Sequence, residues 1–369
     1  MNIKLLSVDC ETTTFNKGNP YDYRNYLVCF AYNNTCHRPD KESLALLQKE
    51  IYDAGLIIGF NFKFDLHWLR NHGVDFSDKR IWDCQIAEYI LSRQTIKYPS
   101  LTDALLKYKL APKQDKVKAY WDQGFQTDQI PWEILSEYNI IDTQQTLALF
   151  KEQWKASNPQ QRSLILLCGQ DLKVLQEMEQ NGLCVDLEAC QINMYEKEKE
   201  IKELEADITK TIPNIPINFN SGDHISALLY GGTICEDVRR VVGVYKTGLK
   251  TGLPRVKIDI ITHTLPGIVK PIKKSELKKE GAWSTAEPTL RQLKDKTGTV
   301  TKLLEIAKLN KIKEVYASFI EINSKYCWPP NKIYGTFNQV TTATGRLSST
   351  KPNLQNMGEE MQKLVKTTY

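Results

Sequence analysis

Several features are missing from this 369-residue sequence. No apolar run approaches the roughly 20 residues that a membrane-spanning helix needs, and Met1–Lys4 lead directly into an apolar segment without the pattern of a signal peptide. The cysteines number nine, and their spacings do not give the paired Cys-x-x-Cys pattern of a zinc site. No internal repeat and no low-complexity segment is visible. We therefore expect a cytoplasmic protein with free thiols and no membrane partner.

The positive charge of the chain is concentrated in one segment. The whole sequence has a formal net charge of +5, but residues 239–280 contain 11 Lys or Arg and three Asp or Glu, which is a local net charge of +8. A concentrated basic patch suggests a polyanion as partner. A lysine-rich loop exposed to solvent would give the same pattern, so both interpretations stay open.

Alternating strands and helices predict an α/β fold for the first part of the chain. Short apolar runs at residues 3–9, 26–32 and 56–60 are separated by segments with helical spacing. From about residue 160 the pattern becomes mainly helical. Within residues 231–281, alternating apolar and polar residues with intervening Gly and Pro predict strands or hairpins.

Two carboxylates stand one residue apart where the first apolar run ends. On a β-strand, residues i and i+2 point to the same face, so Asp9 and Glu11 would be directed at one spot. A bound cation relieves the repulsion between two such charges, and an all-oxygen ligand set suits Mg²⁺ or Mn²⁺. An exposed loop that carries two acids is the alternative, and the short motif alone does not decide between them.

Three further residues could complete a metal site. Asp65 is expected where the strand region of the apolar run at 56–60 ends, at the edge of the sheet. Tyr138 and Asp142 have the i, i+4 spacing that places two residues on one face of a helix. Four carboxylates can hold two divalent ions, an arrangement that hydrolyses phosphodiesters, and a tyrosine hydroxyl can orient the attacking water. Taken singly, Asp65 could instead be a cap, and Tyr138 with Asp142 a half-buried surface pair.

Together, three motifs resemble those of the DEDDy-type 3′–5′ exonucleases, which include the proofreading domain of bacterial and phage family A DNA polymerases. The motifs are Val8–Thr12, Gly59–Asp65 and Tyr138–Asp142. The resemblance implies two divalent metal ions, Mg²⁺ or Mn²⁺, and a tyrosine that positions the water. The residues that it assigns to the metal ions are Asp9, Glu11, Asp65 and Asp142, and the water-positioning residue is Tyr138.

The same resemblance implies contacts with the substrate strand. Asn61 matches a residue that touches this strand, and Thr12 and Phe15 fall where the family holds the 3′-terminal nucleotides. Phe15 replaces the usual leucine, and an aromatic ring there could wedge or stack against a base. The run Thr12–Thr14 replaces the acid or glycine that is common at this point.

Residues near the C-terminus resemble the start of the palm of family A DNA polymerases. The match runs from Thr336 to Thr350 and continues through Pro352–Asn356. It implies that Arg346 reaches the minor groove of the primer–template, where hydrogen-bond acceptors are common to all base pairs. It also implies duplex contacts from Asn353 and Gln355.

The helical middle of the chain, residues 164–323, resembles the thumb of the same polymerases. Lys311 matches a lysine that binds the primer backbone. The basic segment 231–281 exceeds the usual thumb tip, and an insertion of this kind could track DNA by counterion release without base preference.

The resemblance implies a definite domain organisation. A ribonuclease H-like exonuclease domain, with a mixed sheet flanked by helices, is expected at residues 1–160. A mainly α-helical thumb is expected at 161–330 with a small β-containing insertion at 231–281, and the beginning of the palm at 331–369. The nucleotidyl-transfer aspartates and the fingers helix of the family are not found in the sequence. We therefore expect a split or truncated polymerase, with palm and fingers on a second polypeptide and a phage as one source of such an interrupted gene.

The expected activity is proofreading hydrolysis at DNA 3′ ends during replication, in a bacterial or phage-infected cytoplasm. The partners are then a single-stranded 3′ end, a primer–template duplex and the second polypeptide. Two alternatives stay open: a stand-alone exonuclease that trims DNA or RNA, and a non-catalytic DNA-binding subunit of a polymerase complex.

Overall fold

The computed structural model describes residues 3–111, 116–212, 215–248, 250–277 and 281–366. Lys278, Lys279 and Glu280 of the basic segment lie outside the described residues. By packing, the chain divides into two compact units. The first unit comprises residues 1–187 and 318–369, and the second comprises residues 188–317.

A mixed five-stranded sheet forms the centre of the first unit. Its strand order is β3-β2-β1-β4-β5, with β2 antiparallel to both β1 and β3, and with β4 parallel to both β1 and β5. The strands of this sheet are β1 (Leu5–Thr12), β2 (Leu27–Tyr32), β3 (Thr35–His37), β4 (Leu56–Gly59) and β5 (Ile81–Asp83). Every residue of β2 and β4 is buried, as expected of strands that are covered on both faces.

Helices cover the sheet, and three of them position the residues discussed below. α2 and α6 pack against β1, and α7 packs against β5. The helices of the first 181 residues are α1 (Lys41–Asp53), α2 (Lys63–Asn71), α3 (Cys84–Leu91), α4 (Leu101–Lys107), α5 (Lys118–Asp122), α6 (Trp132–Ala156) and α7 (Pro159–Asn181). Single 3₁₀ turns lie at Phe15–Lys17 and Thr127–Gln129.

The second unit is mainly helical and has its own apolar core. This core includes Ile201 and Ile208 from one long helix and Leu303 and Ile306 from another. From residue 187 onward, the described helices are α8 (Leu187–Thr209), α9 (Gly222–Tyr230), α10 (Glu287–Leu290), α11 (Thr299–Tyr326) and α12 (Glu359–Gln362). The last of these, α12, belongs to the first unit.

Three pairs of antiparallel strands complete the described structure. A long hairpin belongs to the second unit, and two short pairs belong to the first unit. The strands are β6 (Leu183–Cys184), which pairs with β9 (Lys332–Ile333), the hairpin strands β7 (Gly232–Val244) and β8 (Pro254–Leu265), and β10 (Thr336–Asn338), which pairs with β11 (Ser348–Thr350). A 3₁₀ turn follows at Leu354–Asn356.

The predicted fold class is confirmed. The first unit contains a mixed sheet flanked by helices, and the second is mainly α-helical with one β-hairpin inserted at 232–265. Within the described ranges, none of the helices combines the length and apolar character that crossing a membrane requires. The functional boundaries at residues 160 and 330 stay predictions, because compactness divides a chain by packing rather than by role.

Candidate active site

Strand β1 carries two carboxylates on one face. Asp9 and Glu11 are half-buried and alternate with buried Val8, Cys10 and Thr12, whose side chains point to the opposite face. Strand β1 pairs with β2 on one side and with β4 on the other, so its backbone is fixed on both edges. The sheet therefore holds both carboxylates side by side, as the sequence predicted.

Helix α6 brings a third carboxylate to the same place. Asp142 is buried, and one ligand oxygen each from Asp9, Glu11 and Asp142 lie within 4.8 Å of one another. We call these three residues the carboxylate cluster. Three like charges at this separation repel one another strongly unless protons or a cation neutralise them. An all-carboxylate oxygen set with this convergence fits Mg²⁺ or Mn²⁺.

The fourth predicted carboxylate lies beside the cluster, but on a different element from the one expected. Asp65 was expected where a strand ends, yet it lies in the first turn of helix α2. One Asp65 carboxylate oxygen accepts a hydrogen bond from the backbone N–H of Cys10, at 2.8 Å. Because Cys10 lies between Asp9 and Glu11, this bond ties α2 to the strand that carries them.

The electrostatic environment of Asp65 disfavours its charged form in the metal-free protein. Complete burial and the neighbouring charge of Asp9 raise the pKa of Asp65 well above its usual value, although the hydrogen bond from Cys10 opposes this shift. The pKa of the Cys10 thiol is also raised, by burial and by the charge of Asp65. The folded metal-free protein therefore favours the protonated, neutral forms of Asp65 and Cys10.

A tight turn before α2 depends on a buried aspartate that the sequence analysis did not single out. Asp83 accepts backbone hydrogen bonds from Asn61 (3.2 Å) and Phe62 (2.7 Å). The same carboxylate caps helix α3, where it accepts from the N–H groups of Gln85 (2.8 Å) and Ile86 (3.2 Å). Asp83 thereby holds the turn that precedes Asp65. An aspartate directly before a helix was a visible capping signal, but its second set of partners is distant in sequence.

The turn itself has an unusual backbone. Asn61 has φ = 55°, in the left-handed region where Asn is tolerated better than most residues. At Gly59 a Cβ atom would lie 2.2 Å from the ring of Phe62, so only glycine fits there. Asn61 is exposed, and its side chain is therefore accessible to a bound strand.

Two further residues of α6 lie within one helical turn of Asp142. Tyr138 lies one turn before Asp142, is buried, and packs edge-to-face against Trp121 with 6.1 Å between ring centroids. Asn139 donates a hydrogen bond from its side-chain amide to a carboxylate oxygen of Asp9, at 2.6 Å. Sequence reasoning missed Asn139, because nothing in a helical pattern marks which polar residue faces a distant strand.

The other predicted substrate residues lie at the end of β1 and in the segment that follows it. Thr12 is buried and its hydroxyl donates to the carbonyl of Thr13 at 3.0 Å. Phe15 is half-buried in the 3₁₀ turn, with the guanidinium carbon of Arg24 4.8 Å from its ring centroid. One face of the Phe15 ring thus already has a cationic partner.

A buried ionic group connects the candidate site with the C-terminal strands of the first unit. Glu179 on α7 accepts from the ammonium group of Lys63 and from the backbone N–H of Phe337 (2.6 Å), and it contacts the ring nitrogen Nε2 of His67 at 2.8 Å. Lys63 also donates to the carbonyl of Phe337. The turn that carries Asn61 is therefore fastened to strand β10.

Two regions of the chain match models of known protein families. Residues 1–156 match the family model described as 3′-5′ exonuclease, and residues 259–368 match the model described as DNA polymerase family A. The chain is related to the family A DNA polymerases. It contains a 3′–5′ exonuclease domain and part of a family A polymerase domain.

Relatives with curated names support the same assignment. The chain is 28% identical to DNA polymerase I of Synechocystis over 80% of its length, and 27% identical to DNA polymerase I of Helicobacter pylori over 85%. DNA polymerase I of Bacillus subtilis is 30% identical over 50% of the chain. The matched regions span only 26%, 30% and 16% of these relatives, respectively.

A solved structure has the same fold. The polymerase domain of Pol1 from M. smegmatis, determined in complex with a DNA primer-template and dNTP, covers 97% of this chain with a TM-score of 0.64. The chain covers 53% of that structure, and the sequences are 18% identical. At this identity the similarity establishes the fold.

The predicted duplex-binding residues fall within the region that matches the family A polymerases. Lys311 is exposed on helix α11, and Arg346 is exposed between strands β10 and β11. Asn353 and Gln355 are exposed, and the Asn353 side chain accepts from the N–H of Gln355 at 3.1 Å. All four side chains are accessible to a ligand, and their roles stay predictions.

Proposed function

We propose that this chain is the 3′–5′ proofreading exonuclease and primer–template-binding portion of a family A DNA polymerase. The observation that carries the proposal is the carboxylate cluster of Asp9, Glu11 and Asp142, with Asp65 tied to the same strand. Four carboxylates brought this close together repel one another, and a divalent cation bound between them would relieve that repulsion.

The ligand set favours two divalent ions, Mg²⁺ or Mn²⁺, held by Asp9, Glu11, Asp65 and Asp142. Such ions would supply Lewis-acid activation of a water and stabilisation of the leaving oxygen. Asn139 would keep the carboxylate of Asp9 in its ligating orientation through the 2.6 Å hydrogen bond.

The remaining residues position the substrate and the water. Tyr138 lies on the same face of α6 as Asp142, which suits a hydroxyl that orients the attacking water. Asn61, on its left-handed turn, would donate to the strand being degraded. Thr12 and Phe15 would contact the 3′-terminal nucleotides, with the ring of Phe15 against a base.

The C-terminal residues would bind the primer–template duplex. Lys311 would contact a phosphate of the primer, and Arg346, Asn353 and Gln355 would follow the minor groove without reading sequence. Nucleotidyl transfer would take place in the cytoplasm and would need a palm and fingers, which either a second polypeptide or a longer chain that includes this portion would supply. Primer extension by a purified complex of this chain with such a polypeptide is the expected result for the first arrangement.

Product analysis on single-stranded DNA tests the proposed activity. A 5′-labelled oligonucleotide should be shortened stepwise from its 3′ end with release of mononucleotides when Mg²⁺ or Mn²⁺ is present. Excess EDTA should stop the reaction, and a 3′-phosphorothioate linkage should slow it. Release of the labelled 5′-terminal nucleotide at the start of the reaction, or unchanged degradation in EDTA, would contradict the assignment.

A further inference from the structure

The β7–β8 hairpin has a firmly anchored base and an exposed distal half. At the base, Ile234 and Leu265 are buried in the core of the second unit, among Leu228 and Leu229. Twelve cross-strand pairs connect β7 with β8. We call residues 239–260, together with the turn that they enclose, the hairpin arm.

The hairpin arm carries an excess of cations. It contains six Lys or Arg and one acid, Asp259. Asp259 pairs with Arg240 and, at 3.2 Å, with Lys257. The other four cations form no ion pair with any residue that the structure describes, and they are Arg239, Lys246, Lys250 and Arg255.

One face of the hairpin arm is aliphatic. Val241 lies directly opposite Val256, and Arg239 lies opposite Ile258. Ile260 shares this face because alternate residues of a strand point the same way, and Asp237 lies opposite it. We call the four apolar residues of this face, Val241, Val256, Ile258 and Ile260, the aliphatic face. They are between 46% and 68% exposed. An apolar surface of this kind, bordered by unpaired charge, is a mark of a binding surface.

The combination of charge and shape selects the ligand. A second copy of the chain would bring the same cations against each other, which disfavours self-association through this face. A lysine-rich loop without function needs no aliphatic face. A narrow two-stranded ribbon fits the major groove of B-DNA, which is about 12 Å wide, whereas the minor groove of about 6 Å would have to open.

We propose that the hairpin arm lies in the major groove of double-stranded DNA, with its unpaired cations on the phosphates and its aliphatic face toward the groove floor. The proposal rests on the proposed function, which makes duplex DNA a ligand of the chain. Contacts of aliphatic side chains with base edges and sugars carry little sequence information, so the hairpin arm would bind duplexes of any sequence and raise their residence time.

Salt dependence of duplex binding tests the electrostatic part. The full chain should be titrated with a labelled blunt duplex in EDTA, which prevents hydrolysis, over a range of KCl concentrations. The slope of log affinity against log salt is negative for a protein that contacts phosphates. Replacing Arg239, Lys246, Lys250 and Arg255 by Gln should make this slope less steep by about 3 to 4. The matched control replaces Lys41, Lys49, Lys109 and Lys151 by Gln, four exposed lysines of the first unit with no ion pair among the described residues.

The aliphatic face needs a separate variant. Val256→Ser with Ile258→Ser should weaken duplex binding roughly tenfold at every salt concentration, with an unchanged slope, since no phosphate contact is lost. An unchanged slope in the four-cation variant would overturn the proposal and leave an acidic protein surface as the ligand to look for. Unchanged affinity in the serine variant would overturn the placement in the groove.

The test separates this inference from the proposed function. Duplex affinity in EDTA does not depend on hydrolysis, whereas the exonuclease assignment is judged by metal-dependent release of mononucleotides from single strands. If the wild-type chain degrades single strands but the four-cation variant keeps the full salt slope, the exonuclease assignment stands and only the DNA-binding role of the hairpin arm is wrong. Circular dichroism melting of each variant verifies that its fold is intact.

Discussion

The carboxylate cluster and the hairpin arm concentrate charge of opposite sign in opposite ways. Asp142 of the cluster and the neighbouring Asp65 are buried, and the ligand oxygens of the cluster converge within 4.8 Å of one another on strand β1 and helix α6. On the hairpin arm, the unpaired cations are exposed and spread along a ribbon that only its base anchors.

This difference determines what each region can select. Buried charges in a medium of low dielectric interact strongly and over short distances, so their exact placement decides which ion fits. Exposed charges are screened within about 8 Å at physiological salt, so their number matters more than their placement. The cluster should therefore fail after a single substitution, and the hairpin arm should weaken in proportion to the charge removed.

The largest effect is expected at the cluster. Asp9→Ala or Asp142→Ala should lower the rate of 3′–5′ hydrolysis by about 10³-fold or more, because a missing ligand removes the metal ion on which the chemistry depends. The assay is single-turnover release of mononucleotides from a single strand. Glu133→Ala is the matched control, since Glu133 is an exposed acid at the start of the same helix. Near-wild-type rates in both cluster variants would exclude the site.

The water-positioning role of Tyr138 predicts a smaller loss. Tyr138→Phe keeps the ring that packs against Trp121 and removes only the hydroxyl. The rate constant for hydrolysis should fall by about 100-fold, while KM for the single strand and the melting temperature stay close to those of the wild type. A rise in KM with an unchanged rate constant would instead make Tyr138 a substrate-binding residue.

The positioning role of Asp83 predicts a loss without direct contact with substrate. Asp83→Asn replaces one acceptor oxygen by a donor that faces backbone N–H groups, so the turn at Asn61 and the start of α2 should shift. Hydrolysis should fall by roughly 10- to 100-fold, with weaker Mn²⁺ binding. Asp40→Asn is the control, because Asp40 caps α1 by accepting from the N–H of Ser43 at 2.8 Å. Equal losses in both variants would indicate a general stability effect.

The smallest predicted effect is a gain in the stability of the metal-free protein when Asp65 is replaced by Asn. Burial and the charge of Asp9 raise the pKa of Asp65, so the folded metal-free protein holds this proton to a higher pH than the unfolded chain does. Stability is therefore lost as the pH rises from the usual carboxyl pKa through the raised one. Asp65→Asn stays neutral and can still accept from Cys10.

Melting in EDTA measures this gain. Asp65→Asn should melt about 2–4 °C above the wild type at about pH 8, and the difference should shrink as the pH approaches 5. Asp53→Asn, an exposed acid on α1, should show no such gain. A lower melting temperature for Asp65→Asn at the higher pH would mean that the carboxylate stabilises the metal-free fold.

Local patterns in the sequence predicted most of the site. The i, i+2 spacing of Asp9 and Glu11 and the i, i+4 spacing of Tyr138 and Asp142 follow directly from strand and helix periods, and both elements are present as expected. Asp65 was misplaced because the tight left-handed turn at Asn61 lets α2 begin as early as Lys63. Asp83, which holds that turn, lies 22 residues after Asn61 in the chain.

The hairpin was only partly predictable for a related reason. Alternating residues indicated strands within 231–281, but the register and the bulge between Val241 and Gly243 depend on cross-strand pairing. Asn139 and Glu179 were missed because their partners lie 130 and 116 residues away. Contacts over such separations follow from the assembled sheet and not from a local period.

Binding of Mn²⁺ tests the central claim most directly. Electron paramagnetic resonance of Mn²⁺ titrated into the metal-free protein with a single-stranded oligonucleotide should show ions bound to the wild type, about two per chain. Asp9→Ala and Asp142→Ala should each bind fewer ions, and Glu133→Ala should match the wild type. Equal Mn²⁺ binding by the wild type and both cluster variants would contradict the assignment of the carboxylate cluster as a metal site.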